Sequence, residues 1–231
     1  MSSEFHLPVW FDLGATFAFA LTGAHAAIRR GYDIVGVFFL ALAVGLGGGL
    51  VRDGVFLPGT GLSPLLSDPR YVILVGAAVG AAAIFRRQIG HAQRVIALID
   101  ALGLGAYAAF GTQKALIAGL PAVGAVLVGL INASGGSLLR DIITRQEPLV
   151  FRPGQFYVLT ALAGATVFAV LTGKFAVGAS LAAGLAIAVT FVFRALAIAF
   201  NWRTSPLSPL IRRGCRDLSD GYLWRPRRIS P

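Results

Sequence analysis

Apolar runs of about twenty residues follow one another along nearly the whole chain, and two of them close on the same seven-residue pattern. Gly47-Gly48-Gly49-Leu50-Val51-Arg52-Asp53 returns 88 positions later as Gly135-Gly136-Ser137-Leu138-Leu139-Arg140-Asp141. The same offset pairs Asp12 with Asp100, Phe19 with Tyr107 and Gly23 with Gly111. Several landmarks at one spacing identify two copies of one structural unit. Each apolar run is long enough to cross a hydrocarbon core of ~30 Å as a helix. Only 13% of the residues are charged, against about 25% in a soluble domain. Lipid is the solvent this composition suits.

The runs divide into seven spans, roughly Val9–Ile28, Ile34–Val51, Tyr71–Phe85, Val95–Thr112, Leu120–Leu139, Phe156–Leu171 and Phe175–Arg194. The fold class is an all-α membrane protein: an inverted 3+3 helix repeat plus a seventh helix. One transmembrane domain covers residues 1–200, with repeat one at about 9–87, repeat two at about 95–173 and the seventh helix at about 175–200. Residues 201–231 form a basic tail that carries the lone Cys215. Orientation follows from Lys and Arg. With the N-terminus outside, fifteen of the twenty fall in cytoplasmic segments, seven of them in the tail. That bias predicts N-out and C-in. A three-helix unit that starts again on the opposite side is inverted about an axis in the membrane plane. The start, Met1 to His6, lacks the basic region of a cleavable signal, so the first run is read as a span. The net charge of +10 is spread over loops and tail, as membrane orientation requires, and does not point to nucleic acid.

Duplicated glycine clusters in such a chain suggest a path for a solute through the bilayer. Successive glycines weaken a helix by about 1 kcal/mol each. In lipid the freed carbonyls then need protein or cavity water, and they can replace part of a cation's hydration shell. Gly47, Gly48, Gly49, Gly135, Gly136 and Ser137 are therefore expected to break or kink spans two and five beside a pore. Close helix packing through small residues is the other reading. Adjacent residues on a helix do not face each other, so Arg52 and Arg140 are each expected to pair with a group on another helix. With Asp53 and Asp141 they either tune the field at a pore mouth or anchor the interface. Asp12 and Asp100 either meet a helix dipole or draw cations to an entrance. Lys114 either plugs the path from inside or snorkels to the surface. Thr22, Asn132 and Ser134 either line a wet path or bond neighbouring helices. His25 is read as a packed residue, and Arg194 as reaching the cytoplasmic interface without a mechanistic role. No metalloprotease, hydrolase-elbow or phosphate-loop motif is present, so neither an enzyme nor a resident cofactor is expected.

At Gly47-Gly48-Gly49-x-x-Arg52-Asp53, with Gly111-Thr112-Gln113-Lys114-Ala115-Leu116 and Gly135-Gly136-x-x-x-Arg140-Asp141, the chain resembles the prokaryotic branch of the TRIC family, the trimeric intracellular cation channels. The likeness covers about Val9 to Ala199. It implies a seven-helix protomer, a homotrimer in the prokaryotic inner membrane, and a pore inside each protomer that conducts potassium and, less selectively, sodium. Kinks at Gly47, Gly48 and Gly49 and at Gly135 and Gly136 would bend helices around that pore. Ser137 stands where the second motif has its third glycine, which implies a milder kink. Animal relatives bind a phosphoinositide through basic residues near their second glycine motif. Lys114 is the nearest candidate here, and that ligand is not carried over. Some bacterial members of the same sequence family carry the label glycine transporter. The leading expectation is thus a passive potassium-permeable channel. A secondary carrier for a small zwitterion such as glycine is the runner-up, and a non-transporting lipid-binding scaffold the third.

Overall fold

The computed structural model describes residues 7–57, 67–85, 93–151, 156–200 and 202, which form seven helices. They are α1 (Val9–Arg29), α2 (Ile34–Val51), α3 (Pro69–Ile84), α4 (Gln93–Ile117), α5 (Ala122–Ile143), α6 (Tyr157–Gly173) and α7 (Ala179–Ala199). Residues Arg52–Phe56 extend α2 by one π-helical turn. Five helices are long and apolar enough to cross a membrane. The two shorter ones, α3 and α6, with 16 and 17 residues, are the third helices of the two repeats. Span seven starts at Ala179 rather than Phe175, and span four runs through Lys114 to Ile117 instead of stopping at Thr112. The basic tail from Arg203 onward, with Cys215, and Arg86, Arg87 and Arg152 in the cytoplasmic segments lie outside the described residues.

Local sequence explains the helix ends. Asp33 caps α2, its carboxylate accepting from Gly36 N at 2.8 Å, and Asp68 caps α3 by accepting from Arg70 N at 2.9 Å. Each satisfies an amide that the first helical turn leaves without a partner. Pro69 occupies the start of α3, where its missing N–H costs nothing. The α1–α2 and α4–α5 turns hinge on Gly31 and Gly119, with φ of +73° and +88°. That left-handed region costs glycine little. These two glycines are also 88 residues apart.

The repeats pack around a local two-fold relation. α1 lies against α2, α3 and α4, while α2 crosses α5 and α4 packs on α5, α6 and α7. Phe19 and Tyr107, equivalent in the two halves, stack ring on ring at 5.3 Å across that relation. The crossing of α2 and α5 is where the glycines sit. A Cβ on Gly48 would fall on the Asn132 carbonyl oxygen, and one on Gly136 on the Val44 carbonyl oxygen. A Cβ on Gly135 would approach Gly48 Cα to 2.9 Å. A Cβ on Gly23 would approach Val44 to 2.9 Å and one on Gly111 would approach Asn132 to 2.8 Å, in the same mirrored way. Since 44 and 132 also differ by 88, the Gly48 and Gly136 contacts form one matched pair and the Gly23 and Gly111 contacts another, while Gly47 faces Leu139 and so does not mirror Gly135.

This corrects the expectation of broken helices. Both α2 and α5 stay α-helical through their glycines, and the Arg52 amide bonds the Gly48 and Gly49 carbonyls. The missing side chains are used for space, letting two backbones touch, rather than for freedom. Departure from α geometry begins only at Arg52, one residue beyond α2, and has no counterpart in α5.

Candidate functional site

Inversion brings the duplicated Arg-Asp motifs to opposite sides of the glycine crossing. Arg52 and Arg140 each follow a crossing glycine by four residues, about 6 Å along a helix. Each is the centre of a buried charge cluster.

In the first cluster the Arg52 guanidinium is fully buried. Its Nε and Nη2 donate to the two carboxylate oxygens of Asp53 at 2.6 and 2.9 Å. Nη1 lies 3.9 Å from Asp12 Oδ1 and donates at 3.5 Å to Asn132 Oδ1. Lys114 Nζ reaches both Asp53 oxygens at 3.2 and 3.3 Å. Phe110 presents its ring to Arg52 at 5.2 Å. Tyr71 donates its hydroxyl to Asp12 Oδ2. The other oxygen, Asp12 Oδ1, accepts no hydrogen bond among the described residues. Beneath this cluster Thr16 bonds the Tyr107 hydroxyl at 2.8 Å, and Tyr107 donates to the Gly45 carbonyl.

The second cluster repeats the plan. Arg140 Nε donates to Asp141 Oδ1 at 3.0 Å, and Nη1 to Asp100 Oδ1 at 3.0 Å and Thr22 Oγ1 at 3.4 Å. Asp141 Oδ2 also accepts from Leu149 N at 3.0 Å, which ties the α5–α6 connection to the cluster. Tyr157, equivalent to Tyr71, is buried here and carries the Arg194 guanidinium over its ring at 4.9 Å. Each cluster thus holds two carboxylates and two cations. In a low-dielectric interior such neutrality is required, because one unpaired ion costs several kcal/mol.

A cavity of about 420 Å³ opens onto the second cluster. Among the described residues its charged lining consists of four arginines, Arg29, Arg30, Arg140 and Arg194, and three carboxylates, Asp100, Asp141 and Glu147. Thr22, His25 and Ala26 supply its α1 wall.

A family model described as Glycine transporter matches residues 9–87 and 97–173, two segments that each hold three of the helices. A UPF0126 membrane protein of Deinococcus radiodurans is 34% identical over 161 residues, covering 68% of this chain and 72% of the relative. The UPF0126 inner membrane protein YadS of Escherichia coli K12 is 27% identical over 198 residues, covering 84% and 93%. Among solved structures, the TRIC trimeric intracellular cation channel orthologue from Rhodobacter sphaeroides superposes with a TM-score of 0.73 at 31% identity, covering 83% of this chain and 97% of that one. Another TRIC cation channel gives 0.76 at 30% identity, covering 88% and 98%. The chain belongs to the TRIC family.

Seen on the TRIC fold, the residues singled out in the sequence gather into three places. Asp12, Arg52, Asp53 and Lys114 meet in one cluster with Asn132, while Asp100, Arg140, Asp141 and Thr22 meet in the other. Gly48, Gly135 and Gly136 pack between them. Asn132 is fully buried and also donates to the Tyr107 carbonyl at 2.7 Å. Ser134 and Ser137 instead donate to carbonyls of their own helix, at Leu130 and Ser134. Two expectations for this TRIC-family chain change. The Arg residues bond their adjacent Asp as well as a distant one, because a long guanidinium spans the ~100° between neighbours on a helix. Arg194 does not reach a surface: it is 2% exposed and lines the cavity. Tyr71 and Tyr157 are further cluster members, signalled in the sequence only by their matched spacing of 86.

Proposed function

We propose that this TRIC-family chain is a potassium-permeable monovalent cation channel with a conduction path inside each protomer of a homotrimer. The path runs from the cavity, past Arg140 and Asp100, between α2 and α5, and out past Asp12, Arg52 and Lys114. The conformation described above is its closed state, sealed at the glycine crossing by backbone contact and by the Phe19–Tyr107 stack. Opening separates α2 from α5 at Gly47, Gly48, Gly49, Gly135 and Gly136. On the closed side Lys114 is a movable plug. Its side chain is 23% exposed and pairs with Asp53 beside the Phe110 ring, so swinging outward leaves carboxylate oxygens facing the path.

The observation that carries this reading is the pair of inverted, charge-neutral clusters flanking one crossing, with a cavity leading to one of them. A channel needs attraction enough for entry and little enough for exit. Carboxylates already shared with guanidinium groups give weak sites of that kind, and Asp12 Oδ1 keeps an acceptor position for a partly dehydrated cation. The bilayer is the inner membrane, with the N-terminus outside and the C-terminus cytoplasmic.

A second reading has its own support. The matched family model is described as Glycine transporter, and a cavity that mixes guanidinium and carboxylate groups suits a zwitterion's two charges. Recording from purified protein in planar bilayers separates the two. The channel gives discrete unitary currents in KCl without exchange. Saturable glycine uptake with counterflow, and no unitary steps, would replace it by a carrier.

A further inference from the structure

The two clusters obtain their second cation from different places. In the first it is Lys114, part of repeat two. The equivalent position in repeat one is Ala26, since 26 and 114 differ by 88. Ala26 carries no charge and lines the cavity at the second cluster. The missing cation is supplied there by Arg194 of α7, the one helix outside the repeat.

We propose that Arg194 is the conductance-setting residue of the mouth that opens into the cavity: a fixed positive charge that limits cation entry there. This rests on the channel reading above. Lys114 is partly exposed and lies 6.0 Å from the Phe110 ring centre, whereas Arg194 is buried and lies closer on the Tyr157 ring, at 4.9 Å. It cannot swing aside as a flexible lysine can. With four guanidinium groups facing three carboxylates, the described lining of the cavity carries a formal excess of one positive charge, with His25 neutral. Removing Arg194 brings that excess to zero. Fixed charge in a low-dielectric vestibule sets the local ion concentration by focusing the field. The protomer then has unequal mouths, and its current rectifies.

The test uses the full-length protein in planar bilayers, comparing Arg194→Gln, Arg194→Lys and Ala26→Lys at low and high KCl. At ~0.05 M KCl, Arg194→Gln raises unitary cation current entering through the cavity by roughly two- to fivefold and leaves the opposite direction less changed. At ~1 M KCl, where the Debye length is about 3 Å, the difference disappears. Arg194→Lys retains the wild-type current. Ala26→Lys, which leaves Arg194 in place, lowers the same current and keeps the inference testable if Arg194→Gln does not assemble. The inference is overturned if Arg194→Gln conducts as wild type at low salt, if its effect persists undiminished at ~1 M KCl, or if Ala26→Lys changes nothing. A wild-type protein that gives no unitary current overturns the channel reading itself, so the two failures are distinguishable.

Discussion

Replacing Gly48 by alanine adds one methyl group at the point where α2 and α5 touch. The added Cβ falls on the Asn132 carbonyl oxygen, well inside the ~3.3 Å that a carbon and a carbonyl oxygen tolerate. A backbone carbonyl in a helix cannot rotate away, so the two helices must part by about 1 Å. A gap of that size forfeits a quarter to a half of each dispersion contact along the seam, and overpacking of this kind costs about 1–3 kcal/mol. Alanine returns about 1 kcal/mol through its better helix propensity. Because the obstacle is a backbone carbonyl rather than a flexible side chain, the upper end of that range applies and the net loss is about 2 kcal/mol, equivalent to a fall in Tm of about 4–8 °C for a domain of this size. Gly136→Ala meets the Val44 carbonyl and gives a similar fall. Gly76→Ala and Gly80→Ala, which have nothing within 4 Å, leave stability unchanged or slightly raised. Thermal unfolding of detergent-purified protein, followed by tryptophan fluorescence, measures all four. If Gly48→Ala is as stable as wild type while the controls behave as stated, the crossing is not a space-limited contact and the packing argument is wrong.

Three further outcomes follow from the clusters and caps. Lys114→Ala removes a cation whose side chain is 23% exposed and leaves the two buried carboxylates with Arg52 alone, which costs about 1–3 kcal/mol, so Tm falls by several degrees while the open fraction in bilayer recordings rises. An unchanged open fraction would remove Lys114 from the gate. Arg52→Ala leaves Asp12 buried without its cation and Asp53 with Lys114 alone, and lowers stability by about 3–5 kcal/mol. Loss of folded protein on size-exclusion chromatography, with partial recovery in Arg52→Lys, is the expected result. Asp68→Ala deletes the α3 cap for about 1 kcal/mol, read as a Tm shift of about 2–4 °C without an effect on unitary conductance.

Much of this was readable from particular residues. The offset of 88 identified the repeat because Arg52 and Arg140, Asp12 and Asp100, and Phe19 and Tyr107 hold structurally equivalent positions that the inversion preserves. The meeting of Arg52 with Asp12 and Lys114 was not readable, since those three groups come from three helices whose rotation sequence does not fix. The glycine clusters were legible as special positions but misleading in kind. A missing side chain can serve freedom or space, and only the partner backbone at Asn132 and Val44 decides between them. Arg194 was misplaced by a helix start. Counted from Phe175 it is the twentieth residue, but α7 begins at Ala179 and runs to Ala199, so Arg194 stays within the span. The absence of a lysine at Ala26 was the available signal that one end needed a cation from elsewhere.

The central claim is that the twin clusters bound a cation path. Planar-bilayer recording of the purified wild-type protein across a KCl gradient tests it most directly. Unitary currents that reverse close to the potassium equilibrium potential are predicted. Reversal at the chloride equilibrium potential, or a bilayer that stays silent, would contradict it.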